Sequence, residues 1–142
     1  MKVYVINLIK NVKRLELIDK RLTELSVGYE RIEAVYGKTV PVAEKRANSS
    51  WFWWWCIKGY PMRDGEYGCA MSHLNVYRKM VAENVPVSCV LEDDAIPRIV
   101  LPKLLDLLEK VIDPNKPQVA LISNHREKDP QGEFELKAVN SP

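Results

Sequence analysis

The sequence predicts an α/β fold in which a mostly parallel sheet is flanked by helices. Short, nearly continuous apolar runs over residues 3–8 and 87–91 are typical of strands that are buried on both faces. Segments in which apolar residues recur with helical spacing alternate with these runs. Because alternating strands and helices build parallel sheets, we expect an α/β sandwich.

The amino-terminal part predicts a strand, a helix and a second strand. The first strand covers residues 3–8, and the helix that follows is capped by Asn11 and ended by Gly28. The apolar residues of that helix are Leu15, Ile18, Leu22 and Leu25. A second strand is expected over residues 29–35, so that two parallel strands joined by a helix form a βαβ unit.

Residues 38–63 show no clean periodicity and predict a loop with short helical pieces. Four tryptophans and Phe52 fill residues 51–55. Indole rings can stack on sugars, insert at a membrane interface, or cover the core as a lid. The sequence leaves these three alternatives open.

A long helix is predicted over residues 66–83, with two neighbouring apolar stripes. One stripe consists of Tyr67, Ala70, Leu74, Tyr77 and Val81, and the other of Cys69, His73, Val76 and Met80. Ser72 is expected on the more polar side of this helix. Two stripes predict a helix that packs on the sheet and also on a second, unidentified surface.

The remaining elements follow the third strand, which we expect over residues 87–91. A helix should begin near Pro102 and end near residues 113–115. A fourth strand is then expected over residues 119–123, and one weak strand over residues 134–139. The 142 residues suit a single domain, 1–142.

The bulk composition excludes several classes of protein. A formal net charge of +2 is too small to predict nucleic-acid binding. No run approaches the roughly 20 apolar residues of a membrane span, so we expect a cytoplasmic protein. Three cysteines in apolar surroundings predict reduced, buried thiols rather than a disulfide framework.

Three acidic residues, Glu92, Asp93 and Asp94, follow the third strand directly. Ligands of open parallel sheets lie at the carboxyl ends of strands, and hard oxygen ligands suit Mg²⁺ or Mn²⁺. Asp94 is the expected first ligand, and Glu92 would point to the same side if the strand persisted. The alternative is a solvated corner between strand and loop.

Basic residues and a histidine add two weaker indications. Lys13 and Arg14 lie in the first turn of a helix, where the helix dipole disfavours cations, so a bound anion such as a diphosphate would explain them. Exposed basic residues near helix starts are common, so the alternative is a solvated helix face. Cys69 and His73 could share a zinc ion, but further ligands are not evident and a core histidine is the favoured interpretation.

Four motifs in order resemble glycosyltransferase family 25, the lipooligosaccharide galactosyltransferase and procollagen galactosyltransferase group. They are residues 5–8 followed by Arg14, residues 34–38, residues 65–74 and residues 90–95. Each motif is modest alone, but the four in this order are specific. The resemblance covers about residues 3–100.

The resemblance implies a Rossmann-like nucleotide-diphospho-sugar transferase of the GT-A type. It implies an inverting transfer of a sugar, plausibly galactose, from a UDP-sugar to a lipid-linked oligosaccharide acceptor of lipooligosaccharide or lipopolysaccharide. A Mn²⁺ or Mg²⁺ ion would bridge the donor diphosphate, and peripheral contact with the inner membrane is open. The implied donor-binding residues are Asn7, Arg14, Ser72, His73 and Asp93, and the implied metal ligands are Asp94 and Glu92.

The resemblance leaves catalysis by this chain open. Inversion requires a carboxylate base, and the sequence does not identify one. The acceptor side of GT-A enzymes follows the acidic motif, where this chain has only residues 95–142, so we expect a member short at the carboxyl-terminal side. One alternative is a non-catalytic nucleotide-sugar-binding fragment. Another is a Mg²⁺-dependent phosphoryl-transfer enzyme, although a Walker A loop is absent.

Overall fold

The fold is built on a three-stranded parallel sheet with helices on both faces. A computed structural model describes residues 1–113, 115–116 and 118–122, with residues 51 and 53 by their backbone alone. The strands are β1 (Lys2–Asn7), β2 (Glu30–Glu33) and β3 (Ser88–Glu92), in the order β2-β1-β3. The predicted α/β class with a parallel sheet is confirmed.

Five α-helices connect and cover the strands within the described part of the chain. They are α1 (Val12–Glu24), α2 (Val42–Asn48), α3 (Trp51–Lys58), α4 (Asp64–Ala82) and α5 (Leu101–Val111), with a 3-10 turn at Gly37–Thr39. Among these residues no helix is both long enough and apolar enough to span a bilayer. Between β2 and the long helix α4, the predicted loop with helical pieces consists of the 3-10 turn, α2 and α3.

The central strand β1 supplies core residues to both faces of the sheet because strand side chains alternate. Val3 and Val5 pack with residues of α1 and α5 on one face. Tyr4 and Ile6 pack with Val76 of α4 on the other face. All four β1 side chains are almost completely buried, which explains the continuous apolar run in the sequence.

Helix α4 packs through small residues as well as through some of its large apolar ones. Its buried residues are Tyr67, Gly68, Ser72 and Val76. Leu74, Tyr77 and Val81 are exposed, so the predicted stripe is wrong beyond Tyr67, and Ser72 is buried rather than on a polar side. The reason is close backbone approach: a Cβ on Gly68 would lie 2.5 Å from the Val35 carbonyl oxygen.

Both ends of α1 differ from the sequence prediction. The Asn11 side chain makes no capping hydrogen bond to the helix, and its amide is instead 3.4 Å from Asp93 Oδ2. The helix ends at Glu24, before Gly28, and Ser26 takes the left-handed conformation with φ 56°. Asn11 is drawn to a carboxylate that is distant in sequence, which local capping rules do not anticipate.

The predicted fourth strand is not formed over residues 119–122. Val119 and Leu121 are 86% and 90% exposed, so an apolar run at this position does not enter the sheet. A strand needs a hydrogen-bonded neighbour, and the edge of the described sheet is β3 on this side. The weak strand predicted over residues 134–139 lies outside the described residues.

Candidate functional site

A cavity of about 230 Å³ opens at the carboxyl edge of the sheet. Its lining comes from four segments: the β1–α1 connection, the residues after β2, the first half of α4, and the end of β3. The strand order β2-β1-β3 makes the ends of β1 and β3 a topological switch point, the usual ligand crevice of open parallel sheets. All four sequence motifs therefore contribute to one cavity.

Asp93 lies at the centre of a hydrogen-bond network between β3 and the start of α1. Its carboxylate accepts hydrogen bonds from Asn7 Nδ2 at 2.8 Å and from Arg14 Nη1 at 3.1 Å. Asn11 Nδ2 is a more distant donor at 3.4 Å. The carboxylate also faces the amino terminus of α1, where the helix dipole favours negative charge. The negative charge of Asp93 is therefore balanced by groups of the protein itself.

Asn7, an expected donor-binding residue, is 1% exposed and does not line the cavity. Its amide donates to Asp93 and to the Asn11 carbonyl oxygen, and its Oδ1 accepts from Arg31 Nε at 3.2 Å. Both ends of the side chain are thus engaged by protein groups. Asn7 therefore contacts Asp93 and not the cavity.

Arg14 reaches both aspartates at the end of β3. Its Nη1 is 3.1 Å from Asp93 Oδ1 and 3.7 Å from Asp94 Oδ2, while its side chain remains half exposed and lines the cavity. The aspartates supply the negative charge that a cation in the first turn of α1 requires. A bound anion is therefore not needed to explain Arg14, and its exposed guanidinium can still contact a ligand.

Asp94 is the most open carboxylate of the acidic triplet, with its side chain 64% exposed. Strand β3 ends at Glu92, and a turn follows in which the Ala95 amide donates to the Glu92 carbonyl oxygen at 3.0 Å. The alternation expected of a continuing strand therefore does not apply to Asp94. Its carboxylate lines the cavity, with Arg14 Nη1 3.7 Å from Oδ2.

Glu92 turns toward α4. Its Oε1 is 3.3 Å from His73 Nε2 and 3.5 Å from Cys69 Sγ. Partial burial and the negative charges of Glu92 and Asp94 raise the pKa of the Cys69 thiol. The sequence did not anticipate this cluster, because the carboxylate comes from another element and no spacing rule links it to the helical pair.

The three cysteines are free thiols, but only one is buried. Cys89 packs in the core beside β1, and burial raises the pKa of its thiol to about 11. Cys56 and Cys69 are exposed, which corrects the prediction that all three are buried. Cys69 instead lines the cavity.

Ser72 joins α4 to the segment after β2. Its Oγ accepts the Val35 N–H at 2.8 Å, and its hydroxyl donates to the Gly68 carbonyl oxygen at 2.6 Å. Ser72 lines the cavity, but its polar atom is already satisfied by the protein. Its observed contribution is to fix the cavity wall.

A second cavity of about 360 Å³ shares Leu8 and residues 34–36 with the first. Lys10 and Tyr36 both line this second cavity, and the Lys10 ammonium lies 3.5 Å from the centre of the Tyr36 ring. Hydrogen bonding and positive charge from Lys10, with a smaller contribution from Lys38, lower the pKa of the Tyr36 hydroxyl. Positive charge therefore lies between the two cavities, a feature that the sequence analysis missed.

Comparisons with known proteins agree with this arrangement. Procollagen galactosyltransferase 1-A of Xenopus laevis is 35% identical over 96 residues, which are 66% of this chain and 16% of that protein. A glycosyltransferase 25 family member of Aedes aegypti is 33% identical over 99 residues, 65% of this chain and 16% of that protein. The aligned part of the chain thus spans about a sixth of the length of these curated relatives.

The family assignment covers almost the whole chain. The sequence pattern of Glycosyltransferase family 25 (LPS biosynthesis protein) matches residues 1–139. The parallel sheet with helices on both faces is consistent with a GT-A-like fold. The chain belongs to glycosyltransferase family 25.

Proposed function

We propose that the chain forms the nucleotide-sugar-binding part of an inverting glycosyltransferase that uses UDP-galactose. The observation that carries this proposal is the cavity at the carboxyl ends of β1 and β3, where four motif segments meet. Such a crevice is the usual ligand position of an open parallel sheet. Galactose is supported by the name of the procollagen galactosyltransferase relatives.

The donor diphosphate would lie beside the amino terminus of α1. Arg14 is half exposed there, and Lys10 and Lys38 line the neighbouring walls of the two cavities. Guanidinium and ammonium groups bind phosphate oxygens directly. Of the five expected donor-binding residues, Arg14 and His73 are proposed to touch the donor.

The other three donor-binding residues are proposed to act indirectly. Asn7 and Asp93 hold the Arg14 guanidinium, and Ser72 fixes the cavity wall. Their polar atoms are already hydrogen-bonded within the protein, which favours positioning over direct contact with the donor.

The cavity fits a Mn²⁺ or Mg²⁺ ion through the oxygen ligands of the acidic motif. Asp94 offers an exposed carboxylate, and Glu92 could join it by turning away from Cys69 and His73. Hard dications prefer such oxygen donors and retain positions for phosphate oxygens. When bound, the ion would stabilise the charge that develops on the leaving diphosphate.

We infer a lipid-linked oligosaccharide acceptor, with peripheral contact to a membrane. The family description names lipopolysaccharide biosynthesis, and α3 exposes Phe52, Trp55 and Ile57. Tryptophan is favoured at the membrane interface, so we expect a blue shift of tryptophan emission with lipopolysaccharide-containing vesicles. Replacing Trp55 and Ile57 by serine should weaken vesicle binding, whereas unchanged binding would exclude α3 as the contact.

The direct experiment supplies UDP-galactose and Mn²⁺ with either a lipooligosaccharide or a procollagen peptide, and follows UDP release and galactose transfer. The proposal expects transfer to the lipooligosaccharide, with activity reduced by at least about a hundredfold in Arg14→Gln if this residue stabilises the diphosphate. Transfer only to the procollagen peptide would retain the enzyme class and overturn the acceptor.

A non-catalytic nucleotide-sugar-binding protein is the second candidate. It is favoured because Asp93 already accepts a hydrogen bond from Arg14 and Glu92 contacts His73, so neither carboxylate is free to act as the base that inversion requires. Specific binding of UDP-galactose without UDP release, with any acceptor, would support this candidate. Release of UDP that depends on Mn²⁺ would exclude it.

A further inference from the structure

Two residues of α4 and the last residue of β3 bring three different metal-ligating groups together. Cys69 and His73 are four residues apart and therefore lie on one side of the helix. Glu92 Oε1 is 3.5 Å from Cys69 Sγ and 3.3 Å from His73 Nε2. The three ligand atoms all lie within 4.8 Å of one another.

These separations match the edges of a tetrahedral zinc site. With Zn–N and Zn–O bonds of about 2.0 Å and Zn–S bonds of about 2.3 Å, tetrahedral ligands are separated by about 3.3 Å for nitrogen and oxygen and about 3.5 Å for sulfur and oxygen. Both contacts to Glu92 already have these lengths. Rotation of side chains that reach an open cavity can adjust the remaining separation between Sγ and Nε2.

The chemistry of the three groups selects a different class of ion from that proposed for Asp94. Thiolate and imidazole ligands favour zinc and similar transition-metal dications, whereas Mg²⁺ and Mn²⁺ favour oxygen ligands. The side chains of His73 and Glu92 are 28% and 53% exposed, and all three residues line the cavity. Three protein ligands at a cavity wall leave the fourth tetrahedral position for water or a ligand oxygen.

We propose that Cys69, His73 and Glu92 form a zinc-binding site in the wall of this cavity, with an open fourth position. The site is distinct from the carboxylate of Asp94 and does not depend on the presence of a nucleotide. It goes beyond the proposed glycosyltransferase activity, since it adds an ion of another class. When zinc is bound, Glu92 stays with Cys69 and His73, and the donor metal is held by Asp94 without it.

The test is a Co²⁺ titration of the chelator-treated full chain, without nucleotide and with a reductant that contains no thiol. Co²⁺ replaces zinc and reports a bound thiolate through a sulfur-to-metal charge-transfer band, and four-coordination through visible bands. We expect one equivalent of Co²⁺ to produce both signals, and one equivalent of Zn²⁺ to abolish them. Absence of the thiolate band in the unaltered protein would overturn the proposal.

Variants assign the ligands. Cys69→Ser should remove the thiolate band, and His73→Ala and Glu92→Gln should each weaken binding by more than about tenfold, since loss of outer-shell groups alone costs 10–100-fold. Circular dichroism checks that each variant is folded. Cys56→Ser, which changes another exposed thiol, and Asp94→Asn should both retain the spectrum.

Two variant outcomes would contradict the assignment. Loss of the band in Cys56→Ser would show that Co²⁺ binds adventitiously to the thiol on α3. Loss of the band in Asp94→Asn would show that the ion occupies the proposed donor-metal position. Because the titration contains no nucleotide, failure of the zinc site leaves donor binding untouched, and failure of donor binding leaves the zinc spectrum unchanged.

Discussion

Single side chains in this protein divide into those that face the cavity and those that hold its walls. Asp93 and Asn7 have their polar atoms committed to protein partners, while Arg14 and Asp94 retain open surface. The residue type alone does not reveal this difference. A carboxylate beside a basic helix start can bind a ligand or an arginine, and only the fold decides which.

Ser72 provides a stability test at the residue scale. Ser72→Ala removes the acceptor of the Val35 N–H and should lower the free energy of unfolding by about 1–3 kcal/mol, because a partly buried donor loses its partner. Urea denaturation measures the change. Ser50→Ala, at an exposed serine that makes no capping hydrogen bond, should change the free energy of unfolding by less than about 0.5 kcal/mol. Equal losses in the two variants would contradict the role given to Ser72.

The elements meet most closely where α4 crosses the chain that leaves β2. A Cβ on Gly37 or Gly68 would meet backbone atoms, so the helix and the loop after β2 pack backbone against backbone. This contact places Cys69 and His73 opposite the end of β3. The geometry of the cavity therefore depends on glycines that carry no chemistry themselves.

Two glycines of α4 give a matched pair of variants. Gly68→Ala should lower the free energy of unfolding by about 1–3 kcal/mol, because its methyl group would overlap the Val35 carbonyl. Gly65→Ala meets nothing within 4 Å and should stabilise the helix by up to about 1 kcal/mol. Thermal and urea unfolding compare the two variants. Stabilisation by Gly68→Ala would refute the close approach.

Ion pairs tie β1, β2 and α4 together at the far end of the sheet. Lys2 and Lys79 each contact both Glu30 and Glu83. Hydrogen bonds from the two lysines lower the pKa of Glu83 from 4.5 to about 2 and also lower the pKa of Glu30. A lowered carboxyl pKa stabilises the fold above the unfolded value, and this stabilisation is lost as the pH falls toward about 2.

Glu83→Gln should therefore flatten the loss of stability in acid. We expect a lower melting temperature than wild type near neutral pH, and a difference that shrinks as the pH falls from about 4.5 to about 2. Added salt should also reduce the difference, since the pairs are solvent-accessible. Glu16→Gln, at an exposed position of α1, serves as the control. A constant difference across this pH range would contradict the ion-pair account.

At the scale of the whole molecule, the sequence predicted what local patterns determine. The apolar run of β1 follows from burial on both faces of the sheet, and the helical period of α1 and α5 follows from burial of one helix face. The bounds of these elements were predicted within a few residues. The buried face of α4 was predicted in part. Tyr67 and Val76 are buried, whereas Leu74 and Tyr77 are exposed. The close contact at Gly68 was not predicted, because it depends on another segment of the chain.

The candidate site was predicted in part for the same reason. The end of β3 follows from the strand rule, and the family resemblance pointed to the four segments that meet there. The network of Asn7, Asp93 and Arg14, and the cluster of Cys69, His73 and Glu92, join residues that are distant in sequence. Side-chain spacing within one element cannot reveal contacts between elements.

The central claim is that this cavity binds a UDP-sugar with a divalent cation held at Asp94. The most direct measurement is isothermal titration of the chain with UDP-galactose, with and without Mn²⁺, for the wild type, Asp94→Asn, and the control Asp106→Asn at an exposed position of α5. The account predicts that Mn²⁺ tightens binding by at least about tenfold, a coupling of about 1.4 kcal/mol that Asp94→Asn abolishes and Asp106→Asn retains. Equal affinity with and without Mn²⁺, unchanged in Asp94→Asn, would contradict it.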